Sequence, residues 1–119
     1  MKKGLHLLVD FHNCQSSLKL LNNKELLRKA LLKISQEAGF TIVSTLFHKF
    51  PGAGGITGLI LISESHLTIH TWPEKKFFNL DIFICNFKKD NTLKVQKTFE
   101  AMKELFHPKK VLKKEIKRE

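Results

Sequence analysis

The stretch ITGLILISESHLTIHTW, residues 56–72, decides how this chain folds. Two β-branched, apolar runs, ITGLILI (56–62) and HLTIHTW (66–72), flank the polar Ser63-Glu64-Ser65. Each run has strand length and strand composition, and the polar residues between them punctuate the pair. Neither strand needs the rest of what this region carries. Glu-Ser-His, a second histidine four residues on and Trp-Pro-Glu at the far end are polar groups that fold alone does not explain.

Outward from this centre, the segments on both sides read in the same way. LHLLVDF (5–11) is a first strand and HNCQSS (12–17) a turn. Residues 23–38 place Leu26, Leu27, Ala30, Leu31 and Ile34 at helical spacing, with Gly39 as the stop. TIVSTLFHKF (41–50) is a strand, and PGAGG (51–55) a loop whose glycines permit positive φ or close backbone approach. FFNLDIFICNF (77–87) is a further strand. NTLKVQKTFEAMKELF (91–106) is a second helix, with Leu93, Val95, Phe99, Met102 and Leu105 as its apolar stripe and Pro108 closing it. KKVLKKEI (109–116) is an edge strand whose lysines discourage stray pairing. The order β-α-β-β-β-β-α-β predicts an α+β fold, a mainly antiparallel sheet with two helices packed on one face. At 119 residues the chain is one domain, 1–119.

Composition narrows the class. Apolar residues make up 42% of the chain, enough for a globular core. No apolar run approaches the roughly 20 residues of a membrane-spanning helix, and Asp10 interrupts MKKGLHLLVD before it could act as a signal peptide, so no membrane partner is expected and the chain reads as cytoplasmic. Cys14 and Cys85 are too few for a disulfide framework. The net charge of +10 is uneven, and the tail KKVLKKEIKRE (109–119) holds six Lys or Arg against two Glu. Arg is scarce, Tyr is absent and no aromatic-basic motif is present, so the charge reads as a solvated surface rather than a nucleic-acid site.

Taken singly, the polar candidates have plain explanations. Ser65 fits a turn residue and lacks the Gly-x-Ser-x-Gly frame of a hydrolase elbow. His66 and His70, four apart on a strand, share a face. With Cys85 they could be imagined around zinc, but neither His-Glu-x-x-His nor Cys-x-x-Cys occurs, and no metal is expected. Cys85 lies in an apolar strand, where structural cysteines are common.

Taken together, GGITGLILISESHLTIHTWPE (54–74) followed by LDIFIC (80–85) resembles the short prokaryotic S-adenosylmethionine decarboxylases. HLLVDFHNC (6–14) and TIVSTLFHKF (41–50) extend the likeness over most of the chain. The resemblance implies a pyruvoyl cofactor made from the chain's own backbone. Ser65 would attack the carbonyl of Glu64, and elimination would cut the chain into 1–64 and 65–119, leaving the pyruvoyl group on residue 65. Such a keto group forms a Schiff base with an amino-acid substrate and draws off electrons during loss of CO2, as pyridoxal phosphate does.

The same resemblance assigns other roles. His70 matches the histidine that assists processing, a base's role suited to imidazole. Thr57 falls where the family has a processing serine. Cys85 matches the proton donor to the product carbon, Glu74 the carboxylate that holds ribose hydroxyls, and Phe50 the aromatic that stacks on adenine. It also implies S-adenosylmethionine as substrate, decarboxylated S-adenosylmethionine for spermidine synthesis as product, and a homodimer whose processed protomers share active sites. The chain departs from the family pattern at Thr57, at KKFFN (75–79) where Gly-Tyr-Ala-Ala is usual, at Asn86 where Gly is usual, and in a loop before residue 57 one residue longer. Arginine or ornithine as substrate of the same chemistry is the alternative; a basic nucleic-acid-binding protein or a non-processing partner subunit is the second.

Overall fold

Alternation along the strands sets the architecture of the computed structural model, which describes residues 3–52, 54–86 and 89–119. In β1 (Gly4–Cys14), Leu5, Leu7, Val9 and Phe11 are buried, while His6, Leu8, Asp10 and His12 are only partly covered. The same period of two runs through β3 (Ile56–Ile62), β4 (Ser65–Trp72) and β5 (Phe77–Cys85). With β2 (Ile42–Lys49) and β6 (Pro108–Arg118) at the edges, they form a six-stranded sheet in the order β2-β3-β4-β5-β1-β6. Every neighbouring pair is antiparallel. The expected α+β class is observed, and the element order differs from the expected one by short helical turns alone.

The buried face carries the helices α2 (Lys24–Ala38) and α3 (Thr92–Phe106), with a single turn, α1 (Lys19–Asn22), before them. Asn23 starts α2 by accepting the Leu26 amide on its side-chain oxygen at 3.0 Å, and Gly39 ends it at φ 103°, a conformation that favours glycine. Between the helices and the sheet, Phe11 stacks on its cross-strand partner Phe78 with centroids 4.3 Å apart, and Phe78 meets Phe106 at 4.5 Å. All three rings are fully buried, each worth about 2–3 kcal/mol of transfer free energy.

Three local readings change. HNCQSS is not all turn: β1 runs on to Cys14 because β6 continues to pair with it, His12 opposite Lys110 and Cys14 opposite Pro108. The helical stripes keep their central members and change at their edges. Leu26 and Leu93 are exposed, whereas Ala38 and Phe106 complete the buried lines Leu27-Leu31-Ile34-Ala38 and Val95-Phe99-Met102-Phe106. The turn α1 has no counterpart in the sequence reading. It is held by Thr71, whose hydroxyl donates to the Leu21 carbonyl at 2.7 Å and accepts the Ile56 amide at 2.9 Å. The same strand passes so close to Gly55 that a Cβ there would lie 1.7 Å from the Thr71 carbonyl oxygen, so only glycine fits.

Among the described residues, no helix packs on the other face of the sheet. Leu46, Leu61, Trp72, Leu112 and Ile116 stand exposed on it, interspersed with His6, Asp10, His66, His70 and Asp81. The polar residues of the central stretch belong to this face.

Candidate functional site

The site is built in two halves at opposite ends of β4. The first is the β3–β4 hairpin, in which Ile62 pairs with Ser65 around a two-residue turn, Ser63-Glu64. Such tight turns ordinarily place positive φ on their central residues. Neither Ser63 nor Glu64 has it; the positive φ, 151°, falls instead on Ser65. A side chain in that region stores strain of order 1–3 kcal/mol, and here the strain adjoins the Glu64–Ser65 bond.

Everything around that bond holds it in place. The Cys85 amide donates to the Glu64 carbonyl oxygen at 3.0 Å, polarising the carbon that Ser65 would attack. Glu64 Oε1 accepts the Thr41 amide at 3.3 Å, and Oε2 lies 3.6 Å from Lys94 Nζ on α3. Ser65 Oγ is 3.3 Å from His66 Nδ1. Cys85 ends β5 with its thiol exposed, one residue beyond Ile84, the cross-strand partner of Ser65. Asn86, the departure after Cys85, is tied to Asn91. Its side chain accepts the Asn91 amide at 2.7 Å, and Asn91 Nδ2 donates to the Cys85 carbonyl at 3.1 Å. This pair ties down the far side of Cys85. Cys14 is a different kind of thiol, buried and pushed up to about 11 by desolvation, and so inert.

The second half is centred on Thr57 and His70. They face each other across β3 and β4, with Thr57 Oγ1 3.1 Å from His70 Nδ1. A run of aromatic rings continues from His70 to Trp72 (6.4 Å between centroids), Phe77 (5.3 Å) and His12 (4.7 Å). Phe77 belongs to the KKFFN departure. Glu74 follows in a 3-10 turn, Pro73–Lys75, and lines a depression of about 390 Å³ with Lys49, Gly52, Gly54, Leu18 and Asn22. Lys49 shapes its rim, donating to the carbonyls of Phe50 at 3.1 Å and Gly54 at 2.8 Å. Phe50 stands exposed beside His48, the rings edge to face at 4.6 Å.

The structure therefore brings Glu64, Ser65 and Cys85 together at one end of β4 and pairs Thr57 with His70 toward the other, with Phe50 set beside His48 and Glu74 in the turn after β4, but it does not join the two ends within one chain. His70 lies five residues from Ser65 on an extended strand, about 17 Å along it. Trp72, Phe77 and His12 escaped the sequence reading as site residues, and His66 was weighed there only as a metal ligand. Strand parity was the available signal, since Trp72 and His66 share His70's side of β4.

The chain resembles known proteins over nearly its whole length. Residues 5–119 match the family described as S-adenosylmethionine decarboxylase. The S-adenosylmethionine decarboxylase proenzyme of Thermotoga petrophila is 38% identical over 108 residues, covering 91% of this chain and 78% of that protein. The proenzyme of the same name from Clostridium kluyveri is 36% identical over 115 residues, 97% of this chain and 86% of that protein. The crystal structure of the adenosylmethionine decarboxylase from Aquifex aeolicus superposes with a TM-score of 0.84 at 26% identity, covering 98% of this chain and 91% of that one. The fold and the hairpin define a chain of the α+β decarboxylase class. It belongs to the S-adenosylmethionine decarboxylase family.

Proposed function

We propose that this chain is a self-cleaving, pyruvoyl-dependent decarboxylase of S-adenosylmethionine, yielding the aminopropyl donor of spermidine synthesis. The observation that carries the reading is the strained Ser65 next to a Glu64 carbonyl already polarised by the Cys85 amide. A hydroxyl at position 65 adds to that carbonyl carbon; the new oxyanion stays on the Cys85 N–H, and collapse moves the acyl group from nitrogen to oxygen. Removal of the Ser65 α-proton then expels the Glu64 carboxylate from Cβ. Hydrolysis of the resulting enamine, with loss of ammonia, leaves the pyruvoyl group.

The surroundings of residue 65 fit such a group: Cys85 and His66 flank the position and would hold it, and the cut removes the strained φ. When bound to an amine, a pyruvoyl carbonyl supplies the electron sink for decarboxylation. Cys85 Sγ, exposed at the end of β5, delivers the proton to the product carbon. Glu74 accepts hydrogen bonds from the ribose hydroxyls as a bidentate acceptor, and the Phe50 ring stacks on adenine.

Because the two halves of the site lie apart in one chain, we propose that two chains pack through the open faces of their sheets. A twofold axis would set Thr57, His70, Glu74 and Phe50 of one protomer against Ser65 and Cys85 of its partner. The exposed Leu46, Leu61, Trp72, Leu112 and Ile116 would supply the apolar contact, and closed twofold dimers are the commonest assembly.

Intact-mass spectrometry tests the cleavage: two fragments meeting at 64/65, the second lacking an amino terminus, are expected, and a chain that stays whole after prolonged incubation overturns it. Release of CO2 from S-adenosylmethionine, measured beside arginine and ornithine, tests the substrate. Faster turnover of either amino acid would replace it.

A further inference from the structure

We propose that His66 is the catalytic base that starts self-cleavage, taking the proton from Ser65 Oγ. The assignment rests on the reading that this chain cuts itself at Glu64–Ser65. It gives a role to the one polar residue of the Glu-Ser-His stretch that the family resemblance leaves without one.

The geometry is local. His66 Nδ1 lies 3.3 Å from Ser65 Oγ, within the looser range found before a reacting geometry tightens, while His70 is about 17 Å away along the same strand. A base for the first step is therefore present in each chain without help from a second. The alternation of β4 places His66 on the open face, where it can hold a proton without entering the core.

His66 is also placed by its neighbours. It pairs across β5 with Phe83, which pairs in turn with His6 on β1, so the three rings form a row across three strands. Their centroids are 5.9 Å (His66 to Phe83) and 5.8 Å (Phe83 to His6) apart. From β6, Arg118 covers the Phe83 ring at 4.8 Å and approaches His6 Nδ1 at 3.5 Å. Asp81 on β5 is the carboxylate of this neighbourhood, and Leu61 on β3 brings no charge. The row of rings fixes the imidazole in register with the serine that precedes it.

The step balances without a co-reactant. The Oγ–H bond breaks as Oγ bonds to the Glu64 carbonyl carbon, and the proton moves to Nδ1. When the tetrahedral centre collapses, the Glu64–Ser65 C–N bond breaks and the same proton passes to the Ser65 nitrogen. An ester remains, and His66 returns to its starting state.

The test follows full-length chains by intact mass over time, with hydroxylamine added to samples, since hydroxylamine cuts an ester but not a peptide bond. Base catalysis of this kind contributes on the order of 10²–10⁴-fold. His66→Ala and His66→Gln are expected to slow cleavage at least 100-fold and to accumulate hydroxylamine-resistant precursor. Added imidazole should restore part of the His66→Ala rate, and circular dichroism should show both variants folded. His70→Ala, blocked later, should accumulate hydroxylamine-sensitive precursor instead. His66 variants that form the ester, or that cleave at the wild-type rate while the wild type cleaves, overturn the base assignment alone. A wild-type chain that never cleaves overturns the self-cleavage reading and the base with it.

Discussion

Thr57 and His70 lie 3.1 Å apart, side chain to side chain, on neighbouring strands, and together they stand at the opposite end of β4 from Ser65. Under the proposed sharing of sites, each chain would borrow two of them from its partner. Mixed dimers should show this directly. Neither Ser65→Ala nor His70→Ala chains should be cut when expressed alone. When co-expressed, the His70→Ala chain should be cleaved and the Ser65→Ala chain should stay whole, because only one of the two shared sites is complete. Tagging the two chains differently and weighing the fragments decides it. His70→Ala cleaved normally by itself would remove the case for sharing.

Lys94 should set the rate of cleavage without touching the bond that breaks. Its ammonium, 3.6 Å from Glu64 Oε2, and the Thr41 amide grip the turn from two sides, in a setting where the carboxylate is largely covered. Lys94→Met leaves that carboxylate with one partner, which costs on the order of 1 kcal/mol of stability. Cleavage should slow several-fold, and Lys94→Arg should recover most of it. Unaltered cleavage in Lys94→Met would show that the grip does not align the turn.

His6 makes the fold sensitive to acid. Burial lowers its pKa below the ordinary histidine value of 6.5; Asp81 opposes the shift, and Arg118 and His66 add to it. Its Nε2 is buried without a hydrogen-bond partner. With the folded value below the unfolded one, the unfolded chain takes up the proton first. Stability is then complete above the unfolded value and declines as pH falls from there through the folded value. The melting temperature of His6→Gln should fall less over that window than that of the wild type. Parallel curves would exonerate His6.

The two thiols should separate cleanly. Iodoacetamide on the native protein should modify Cys85, which is exposed, and spare Cys14, whose thiol stays protonated to about pH 11. Cys85→Ala should still cut itself, since the Glu64 carbonyl is held by a backbone amide that alanine keeps, but should lose decarboxylation. Peptide mapping and CO2 release read the two outcomes. Full turnover in Cys85→Ala would return the proton-donor role to another group.

Most of the fold was legible because the sheet has one buried face, so that apolar parity marks the strands, and because Asn23 and Gly39 bracket the first long helix. The edges of both helical stripes were not legible, since Leu26 and Leu93 are as apolar as the buried residues beside them and only packing chooses between them. The extension of β1 to Cys14 depends on a partner strand nearly a hundred residues away. The candidate site was legible as a set of residue types. Its division into two ends of one strand is a matter of distance, which spacing in sequence states only once the segment is known to be extended. The strain at Ser65 had no sequence signal, because serine is not the residue that such a φ would advertise.

The strand order has a mechanical outcome. The proposed cut after Glu64 would assign β1, β2 and β3 to one piece and β4, β5 and β6 to the other, yet β1 lies between β5 and β6. The severed pieces would thus be interleaved like the fingers of two hands. They could not drift apart unless a central strand were drawn out from between its neighbours, so a chain cut at this bond would keep its shape.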